Sequence, residues 1–442
     1  HLRYKKEKDQ ARWRERYDTD EMVLTSFVAR EAAHLERGES VRLVHLVQGR
    51  ALGERAVHLA QTGVDVLLAD GEIRERLRSF AIRRPRPPEP VGDGQKGRSV
   101  RRLIDVGGRI SALCRLDDGS VAVGTDAGTL SLVSVDGRSM WSAELEGPVR
   151  DIGEAGGTSN MLAAGHGPAS LTGFDRSGEK LWTAKIEHEP CPWPWWELPT
   201  PAAVQVAGGV SDGEPFFAVG CGDIQLRCFD AKGKESWRWR YNEGVPGRVR
   251  VTDVDGTGKP RIVVGGDILS DQSTCRILEP NGHLMADLRV EGWTSMLTAL
   301  AFGACGGRRF VACGASRGAN LHLFELEDDR WVRRWLKRPG GQVTGICILE
   351  AEGRVLAGTS QGFLLCYDLA GEAVWHQMSD LGIQHLVPMG ARVLVVDYSG
   401  GLRTVGVAGE VEELAPLPAR CSLAAADDAG SYLVSGSEVW RV

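Results

Sequence analysis

The segment FDRSGEKLW (174–182) decides the fold of this chain, because related copies of it recur along the sequence. FDAKGKESW (229–237) and YDLAGEAVW (367–375) share its pattern of aromatic residue, Asp, two variable residues, Gly, three variable residues and Trp. SVDGRSMW (134–141) has a shorter turn, and weaker copies are LEPNGHLM (278–285), FELEDDRWV (324–332) and VGVAGEVEEL (405–414). Self-similarity with a period of about 35–55 residues indicates a repeat architecture.

A second element recurs upstream of these copies, as an apolar run that ends in small residues. Its eight instances are VAVGT (121–125), LAAGH (162–166), FAVGC (217–221), IVVGG (262–266), VACGA (311–315), VLAGT (355–359), LVVDY (394–398) and LVSGS (433–437). Each unit thus supplies about four short strands joined by tight turns. The pattern predicts an all-β domain made of small antiparallel sheets.

A single sheet of this size cannot bury both of its apolar faces, so the sheets must stack on one another. Radial stacking in a closed ring, the β-propeller, covers the faces and protects the edges. We expect the IVVGG-type run to be an inner strand whose glycine eases passage of the backbone past the crowded axis. We expect the Asp-x-x-Gly turn to precede the outer strand, where the Trp covers the seam to the next blade.

The number of blades follows from the two ends of the repeat region. Seven full units are followed by a remnant of three strands, CSLAAADDAG and SYLVSGSEVWRV (421–442). VRRLIDV (100–106) reads as an orphan outer strand, and joining it to the remnant would complete an eighth blade. The prediction is an eight-bladed propeller, with seven blades as the alternative.

These units resemble the repeats of the quinoprotein dehydrogenase (PQQ-like) propeller superfamily, which is related to the WD-repeat propellers. The resemblance covers about residues 100–442, and Trp141, Trp182, Trp237, Trp331 and Trp375 carry the turn-plus-Trp signature. Enzymes of that superfamily carry an adjacent Cys-Cys pair and acidic or amide ligands for Ca²⁺ at the ring centre. No two of the ten cysteines here are adjacent. We therefore predict no catalytic residues, no cofactor and no enzymatic activity.

The first hundred residues have a different pattern. Residues 1–82 are predicted to be a small α-helical region, because 20–37 places apolar residues at helical spacing before Gly38. Residues 83–99, rich in Pro and Gly, are predicted to be a linker, which leaves 100–442 for the propeller.

The distribution of charge and of cysteines limits which partners and which cellular compartment are expected. Residues 1–100 hold 20 Lys and Arg against 16 Asp and Glu, whereas 101–442 hold 33 against 43. An acidic propeller is a poor match for a phosphate backbone, so a nucleic-acid contact is considered only for the basic start, 5–16. No apolar stretch is long enough to cross a membrane, and the start lacks the apolar segment of a secretory signal. Scattered single cysteines favour the cytoplasm.

One segment resembles a calcium loop of the integrin type. In VTDVDGTGKPRIVVGG (251–266), Asp253, Asp255 and Thr257 occupy ligand positions, and clustered oxygens are what Ca²⁺ prefers. However, Arg261 stands where the last carboxylate should be. The segment is predicted to be a tight turn between strands, with a weak metal site as the alternative.

Three tryptophans are the candidate partner-binding residues. HEPCPWPWWELPTP (188–201) interrupts the repeat and carries Trp193, Trp195 and Trp196 between prolines that stiffen the loop. Rigid, displayed aromatic side chains are typical of interaction hot spots. The alternative is that the insertion folds back and buries them.

The function predicted from these features is a non-catalytic scaffold for one or more protein partners, a subunit of a larger assembly. The first alternative is a sensor or regulatory module of a bacterial signalling or defence system, by analogy of fold. The second is a quinone-dependent oxidoreductase, which the missing cysteine pair disfavours.

Overall fold

The computed structural model describes residues 100–157, 160–188, 202–241, 245–266, 272–291, 297–316, 320–379, 381–427 and 430–442. The predicted helical region and linker lie outside these residues. The chain divides into two units, and the one formed by Pro85–Lys337 and Gln342–Val442 contains every strand given below. Within the described ranges, no helix has the length and apolar character that a membrane crossing needs.

The described residues form eight antiparallel sheets of four strands each. We number the sheets as blades 1–8 and call their strands innermost, second, third and outer. In that order, blade 1 contains β2 (Ile110–Arg115), β3 (Val121–Thr125), β4 (Thr129–Val133) and β5 (Ser139–Glu144); blade 2 contains β6 (Val149–Ala155), β7 (Met161–His166), β8 (Ser170–Phe174) and β9 (Lys180–Lys185). Blade 3 contains β10 (Ala203–Ser211), β11 (Glu214–Cys221), β12 (Gln225–Asp230) and β13 (Glu235–Arg240); blade 4 contains β14 (Arg248–Thr252), β15 (Arg261–Gly265), β16 (Gln272–Leu278) and β17 (Leu284–Glu291).

The remaining blades repeat the same order. Blade 5 contains β18 (Leu297–Cys305), β19 (Arg308–Ala315), β20 (Leu321–Glu327) and β21 (Arg330–Lys337); blade 6 contains β22 (Val343–Leu349), β23 (Arg354–Thr359), β24 (Phe363–Asp368) and β25 (Ala373–Met378). Blade 7 contains β26 (Ile383–Met389), β27 (Arg392–Asp397), β28 (Leu402–Gly406) and β29 (Val411–Leu414); blade 8 contains β30 (Cys421–Asp427), β31 (Gly430–Ser435), β32 (Glu438–Arg441) and, from the other end of the repeats, β1 (Arg101–Asp105).

The ring closes through both ends of the repeat region. β1 pairs with β32, with Arg102 opposite Trp440 and Ile104 opposite Val439. Innermost strands contact one another in order around the ring, and β30 of blade 8 contacts β2 of blade 1. The Tyr432 hydroxyl donates a hydrogen bond to the Gly119 carbonyl (2.9 Å) across the same seam. The eight-bladed prediction, including its closing strand, is confirmed, and the seven-bladed alternative is wrong.

Tryptophans on the outer strands fasten successive blades at five of the eight seams. The Trp182 indole donates to the Ala231 carbonyl (2.8 Å), in the Asp-x-x-Gly turn of the next blade. A Cβ on Gly233 of that turn would lie 2.5 Å from the Trp182 ring, so only glycine fits beneath it. We call this the indole–glycine contact. It recurs from Trp141 to Arg176 O, Trp237 to Pro280 O, Trp335 to Leu369 O and Trp375 to Val407 O.

A β-bulge sets the direction of each of these tryptophans. In blade 2, Gly173 pairs with Trp182 and Phe174 with Lys180, which leaves Leu181 as the extra residue. The register shifts in the same way before Trp141, Trp237, Trp335 and Trp375. A bulge bends and twists the strand locally, which redirects the next side chain. Here the redirected side chain reaches the neighbouring blade.

The sequence assigned the wrong tryptophan to blade 5. Trp331 was predicted to carry the signature, but Trp335 makes the indole–glycine contact and packs on Gly371. The hairpin between β20 and β21 is longer than in other blades, because Leu326 pairs with Trp331 and Glu327 with Arg330 beyond the bulge. Trp331 therefore lies in the extension, half-buried beside the core.

The IVVGG-type run is also placed differently from the prediction. It forms the second strand of each blade, not the innermost, and it is buried on both faces in β3, β7 and β15. Its glycine faces the next blade instead of the axis. A Cβ on Gly124 would lie 2.4 Å from Val149 of blade 2, and one on Gly265 would lie 1.8 Å from Leu297 of blade 5.

Cysteines fill small apolar spaces between the blades. Nine lie in the described residues, all are free, and seven of them are buried. Cys275 of blade 4 and Cys313 of blade 5 belong to one apolar cluster at a seam that has no indole–glycine contact. Burial raises the pKa of the Cys347 thiol to about 12, which keeps it protonated and unreactive at neutral pH.

The closing strand is testable by truncation. A chain that begins at Val100 keeps β1, whereas one that begins at Gly107 loses it and exposes the edge of β32. We expect the shorter chain to unfold at lower urea, with a loss of about 2–4 kcal/mol, because half-buried Leu103 and Ile104 no longer cover the apolar cluster around Tyr432. The chain that begins at Val100 is the control. Equal urea midpoints for the two chains would contradict the closure.

Candidate functional site

The turn between β14 and β15 satisfies its own polar groups. The Asp255 carboxylate accepts hydrogen bonds from Thr257 Oγ1 and from Arg261 Nε, both at 2.7 Å, and the Gly258 N–H donates to Asp253 (3.0 Å). Burial alone would raise the pKa of Asp255, but the bonds from Thr257 and Arg261 outweigh burial and lower it. Arg261 therefore occupies the place where a cation would sit beside Asp255.

These contacts favour the structural role of Asp253, Asp255 and Thr257, as hydrogen-bonding groups of a tight turn. A guanidinium at 2.7 Å supplies the positive charge that a Ca²⁺ ion would otherwise supply to Asp255. In the described part of the chain, no group of three or more His, Cys, Asp or Glu side chains could hold a metal ion. The weak metal site remains a prediction without support from this geometry.

Residues 189–201 of the insertion lie outside the described residues, and with them Trp193, Trp195 and Trp196. Glu187, which directly precedes the insertion, is anchored to blade 3, because Arg227 Nη2 donates to the Glu187 carbonyl (2.9 Å). Arg227 and Asp223 are both fully buried and paired at 2.7 Å. A buried charge is stable only when it is paired, so this pair fixes the point at which the insertion leaves the ring. The partner-binding role of the three tryptophans stays a prediction.

The outer strands expose a set of apolar side chains at one structural position. In blades 1, 2, 4 and 6 the bulge residue is Met140, Leu181, Met285 or Val374, and each is 43–54% exposed. In blades 3 and 5 the same position holds Ser236 and Arg334. The bulge that turns the tryptophan inward therefore leaves an apolar side chain on the outer edge of four blades.

A second set of side chains gathers where the innermost strands begin. Every sheet is antiparallel, so the connections from outer strands to the next innermost strand all lie at one end of the ring. We call that end of the central channel the channel mouth. The first residues of the innermost strands lie at this end, with one residue before β30; the charged residues and the histidine among them are Arg150, Asp151, Arg248, Arg250, His385 and Arg420.

The arginines of the channel mouth are held by neutral oxygen atoms. Arg150 Nε donates to the Gly167 carbonyl (2.9 Å), and Arg250 Nη1 donates to Val249 O (2.8 Å) and Gln205 Oε1 (3.3 Å). Arg420 Nε donates to Gln384 Oε1 (3.4 Å), and its guanidinium lies 5.0 Å from the centre of the Tyr398 ring. Among the described residues, none of these three arginines forms a salt bridge. In the described part of the chain these guanidinium groups are therefore held by neutral atoms, and the attraction between Arg250 and the Asp151 carboxylate acts without a salt bridge.

Two titratable groups respond to these charges. Burial, together with the charges of Arg420 and Arg248, lowers the pKa of His385 to about 4, so its imidazole is neutral at pH 7. Its Nε2 is buried without a hydrogen-bond partner among the described residues. Burial raises the pKa of Asp151 to about 6, although the Val206 N–H (2.7 Å) and Arg250 oppose that rise. Arg248 acts on both groups, which connects blade 2 with blade 7 across the mouth.

Sequence reasoning missed the channel mouth because its arginines form no local motif. Arg150, Arg250 and Arg420 come from blades 2, 4 and 8 and are separated by at least a hundred residues. The available signal was positional, since each lies within three residues of the start of an innermost strand. That signal could be used only after the innermost strands had been assigned, and the IVVGG-type runs, which were predicted to pass the axis, are second strands.

With the ring and its seams established, the fold class is clear: the described residues form an eight-bladed β-propeller, and part of its repeats is similar to those of the PQQ-like superfamily. Residues 93–269 match the family model described as outer membrane protein assembly factor BamB. That match spans blades 1–3 and the first two strands of blade 4. No curated protein matches the chain by sequence.

Solved structures agree with this class at the level of the fold. BamB from Moraxella catarrhalis aligns with a TM-score of 0.57 and 15% identity, over 78% of this chain and 98% of BamB. Sqt1 from Saccharomyces cerevisiae aligns with a TM-score of 0.59 and 12% identity, over 78% of this chain and 99% of Sqt1. The Dos1 propeller aligns with a TM-score of 0.58 and 10% identity, over 78% and 93%. These identities establish a shared fold and no shared function.

The raised pKa of Asp151 predicts a pH-dependent effect on stability. Because the folded protein binds the Asp151 proton more tightly than the unfolded chain does, the stability this group contributes is present below about pH 4 and is lost as the pH rises through about 6. We therefore expect Asp151→Asn to raise the free energy of unfolding at pH 7.5 by about 1–3 kcal/mol, and with it the melting temperature. At pH 4 the gain should be almost zero.

Asp126→Asn, an exposed aspartate in blade 1, is the control for that experiment and should show no comparable gain. Thermal melts of both variants between pH 4 and pH 8 provide the measurement. A gain from Asp151→Asn that is the same at every pH would show that its ionisation is not the cause.

Proposed function

We propose that the chain is a non-catalytic protein–protein interaction scaffold and a subunit of a larger assembly. The observation that carries this proposal is the exposed apolar bulge residue on the outer strands of four blades. Met140 and Leu181 lie on neighbouring blades, 54% and 45% exposed. Apolar side chains repeated at one position on a rigid ring offer a partner a surface that needs little ordering on binding.

The proposal has two further supports. The family model that matches residues 93–269 is described as an assembly factor, and such a factor works by binding other proteins. The insertion with Trp193, Trp195 and Trp196 follows β9, the strand that carries Leu181. We propose that these tryptophans and the bulge residues of blades 1 and 2 contact the same partner. We place the assembly in the cytoplasm, which the free cysteines favour.

The test is affinity purification of the tagged chain from its native cells, followed by cross-linking and identification of the linked proteins. We expect one or more proteins to be recovered with the wild-type chain. Met140→Ser combined with Leu181→Ser should reduce their recovery about tenfold, because each lost apolar contact in an interface costs on the order of 1 kcal/mol. The melting temperature should not fall, since serine occupies the same position in blade 3.

Leu381→Ser is the matched control, because Leu381 is equally exposed (44%) but lies outside the outer strands. A third arm replaces Trp193, Trp195 and Trp196 together with Ser and should also reduce recovery. If no protein is recovered with the wild-type chain, or if the Met140 and Leu181 variant recovers as much as the control, the scaffold proposal fails.

A further inference from the structure

We propose that the channel mouth binds an acidic peptide segment of a partner protein, through Arg150, Arg250 and Arg420. This site is distinct from the outer strands, so it does not depend on the scaffold surface proposed above. The ligand would be an extended chain that carries several carboxylates.

The first observation is a local excess of positive charge in an acidic ring. Residues 101–442 hold 43 Asp and Glu against 33 Lys and Arg, yet Arg150, Arg248, Arg250 and Arg420 lie at or next to the starts of the innermost strands, where Asp151 is the acidic residue. Among the described residues, Arg150, Arg250 and Arg420 form no salt bridge. Elsewhere in the described structure several arginines are paired, as where Arg176 pairs with Asp118 at 2.6 Å. All three side chains are exposed at the channel mouth, where several like charges on one rigid ring attract an anion more strongly than a single charge does.

The second observation is that each guanidinium keeps nitrogen atoms available. Arg150 and Arg420 are each fixed through Nε, and Arg250 is fixed through Nη1. Within the described part of the chain, their other guanidinium nitrogens donate no hydrogen bond. A guanidinium presents five N–H donors, and two parallel ones match a carboxylate. Each side chain is thus oriented by the ring while part of its fork remains unused.

The third observation is His385, whose buried Nε2 has no hydrogen-bond partner among the described residues. A buried polar atom in this state costs free energy unless a ligand or water satisfies it. Because its pKa is lowered to about 4, the imidazole is neutral and does not add to the positive charge at pH 7. His385 can therefore exchange one neutral hydrogen bond with a peptide group, beside the charged contacts of Arg420.

Placement around the ring favours an extended ligand over a single ion. Arg250 belongs to blade 4 and Arg420 immediately precedes blade 8, and these blades face each other across a ring of eight. Arg150 belongs to blade 2, between them. One small anion cannot reach all three sectors, whereas a chain with carboxylates at several positions can. Bulges at the start of β6, β26 and β30 interrupt the free strand edges, so recognition through side-chain charge is favoured over addition of a strand.

The test uses the whole chain and a fluorescein-labelled peptide of about ten alternating Glu and Ala residues, followed by fluorescence anisotropy. We expect binding that weakens as salt rises from about 50 to 300 mM, because salt screens the charges. Arg250→Gln combined with Arg420→Gln should weaken binding by at least about tenfold, since two charge-assisted contacts are lost. Gln keeps the first part of the side chain and a neutral amide that can donate a hydrogen bond, so loss of the fold is not expected.

Arg289→Gln is the matched control, because Arg289 is an exposed arginine on the outer strand of blade 4. It should leave the affinity unchanged within about twofold. Competition arms contain a Gln–Ala peptide of equal length, an oligothymidylate and inorganic phosphate, none of which should displace the acidic peptide. The proposal is overturned if the acidic peptide does not bind, if the double variant binds as well as the control, or if the oligonucleotide or phosphate competes equally. Each of these outcomes leaves the scaffold test on the outer strands unaffected.

Discussion

The ring depends on contacts in which a glycine of one blade packs directly under a side chain of the adjacent blade. Each complete seam has two such contacts, and they run in opposite directions. The outer-strand indole of one blade lies on the turn glycine of the next, as Trp182 does on Gly233, and the first residue of the next blade lies on a second-strand glycine, as Val149 does on Gly124. Because both contacts leave no room for a Cβ, neighbouring blades are held at one distance and one angle.

This constraint also shapes the surfaces that could bind a partner. The bulge that directs each tryptophan to its glycine exposes Leu181 and its equivalents on the outer edge. A second bulge, at the start of the innermost strands, places Arg150 in the channel mouth, and the same end of the ring receives Arg250 and Arg420. The bulges that join the blades thus also determine where the two candidate surfaces lie, and a rigid ring keeps both in fixed positions.

Much of the fold could be predicted because its repeats are local in sequence. Features that depend on contacts between distant segments could not be predicted. The Asp-x-x-Gly turns and the strand VRRLIDV predicted eight blades and their closure, because each signal lies within one short segment. Trp331 was preferred to Trp335 because the sequence does not reveal how far a hairpin extends beyond its bulge. The arginines of the channel mouth could not be predicted as a group, because only the closed ring brings three separate blades together. For Asp255, sequence spacing suggested a Ca²⁺ ligand and also placed Arg261 where the last carboxylate of such a loop should be. The structure shows that Arg261 contacts Asp255 directly.

A double-mutant cycle between Trp182 and Gly233 tests the role of the seam contact most directly. The unfolding free energies of Gly233→Ala, Trp182→Leu and the combined variant would be measured by urea denaturation, with Gly213→Ala as the reference for a glycine of similar φ in open space. We predict that Gly233→Ala costs more than Gly213→Ala when Trp182 is present, by about 1–3 kcal/mol, and the same as Gly213→Ala when Trp182 is replaced. An equal cost of Gly233→Ala in both backgrounds would show that the indole does not hold the blades together.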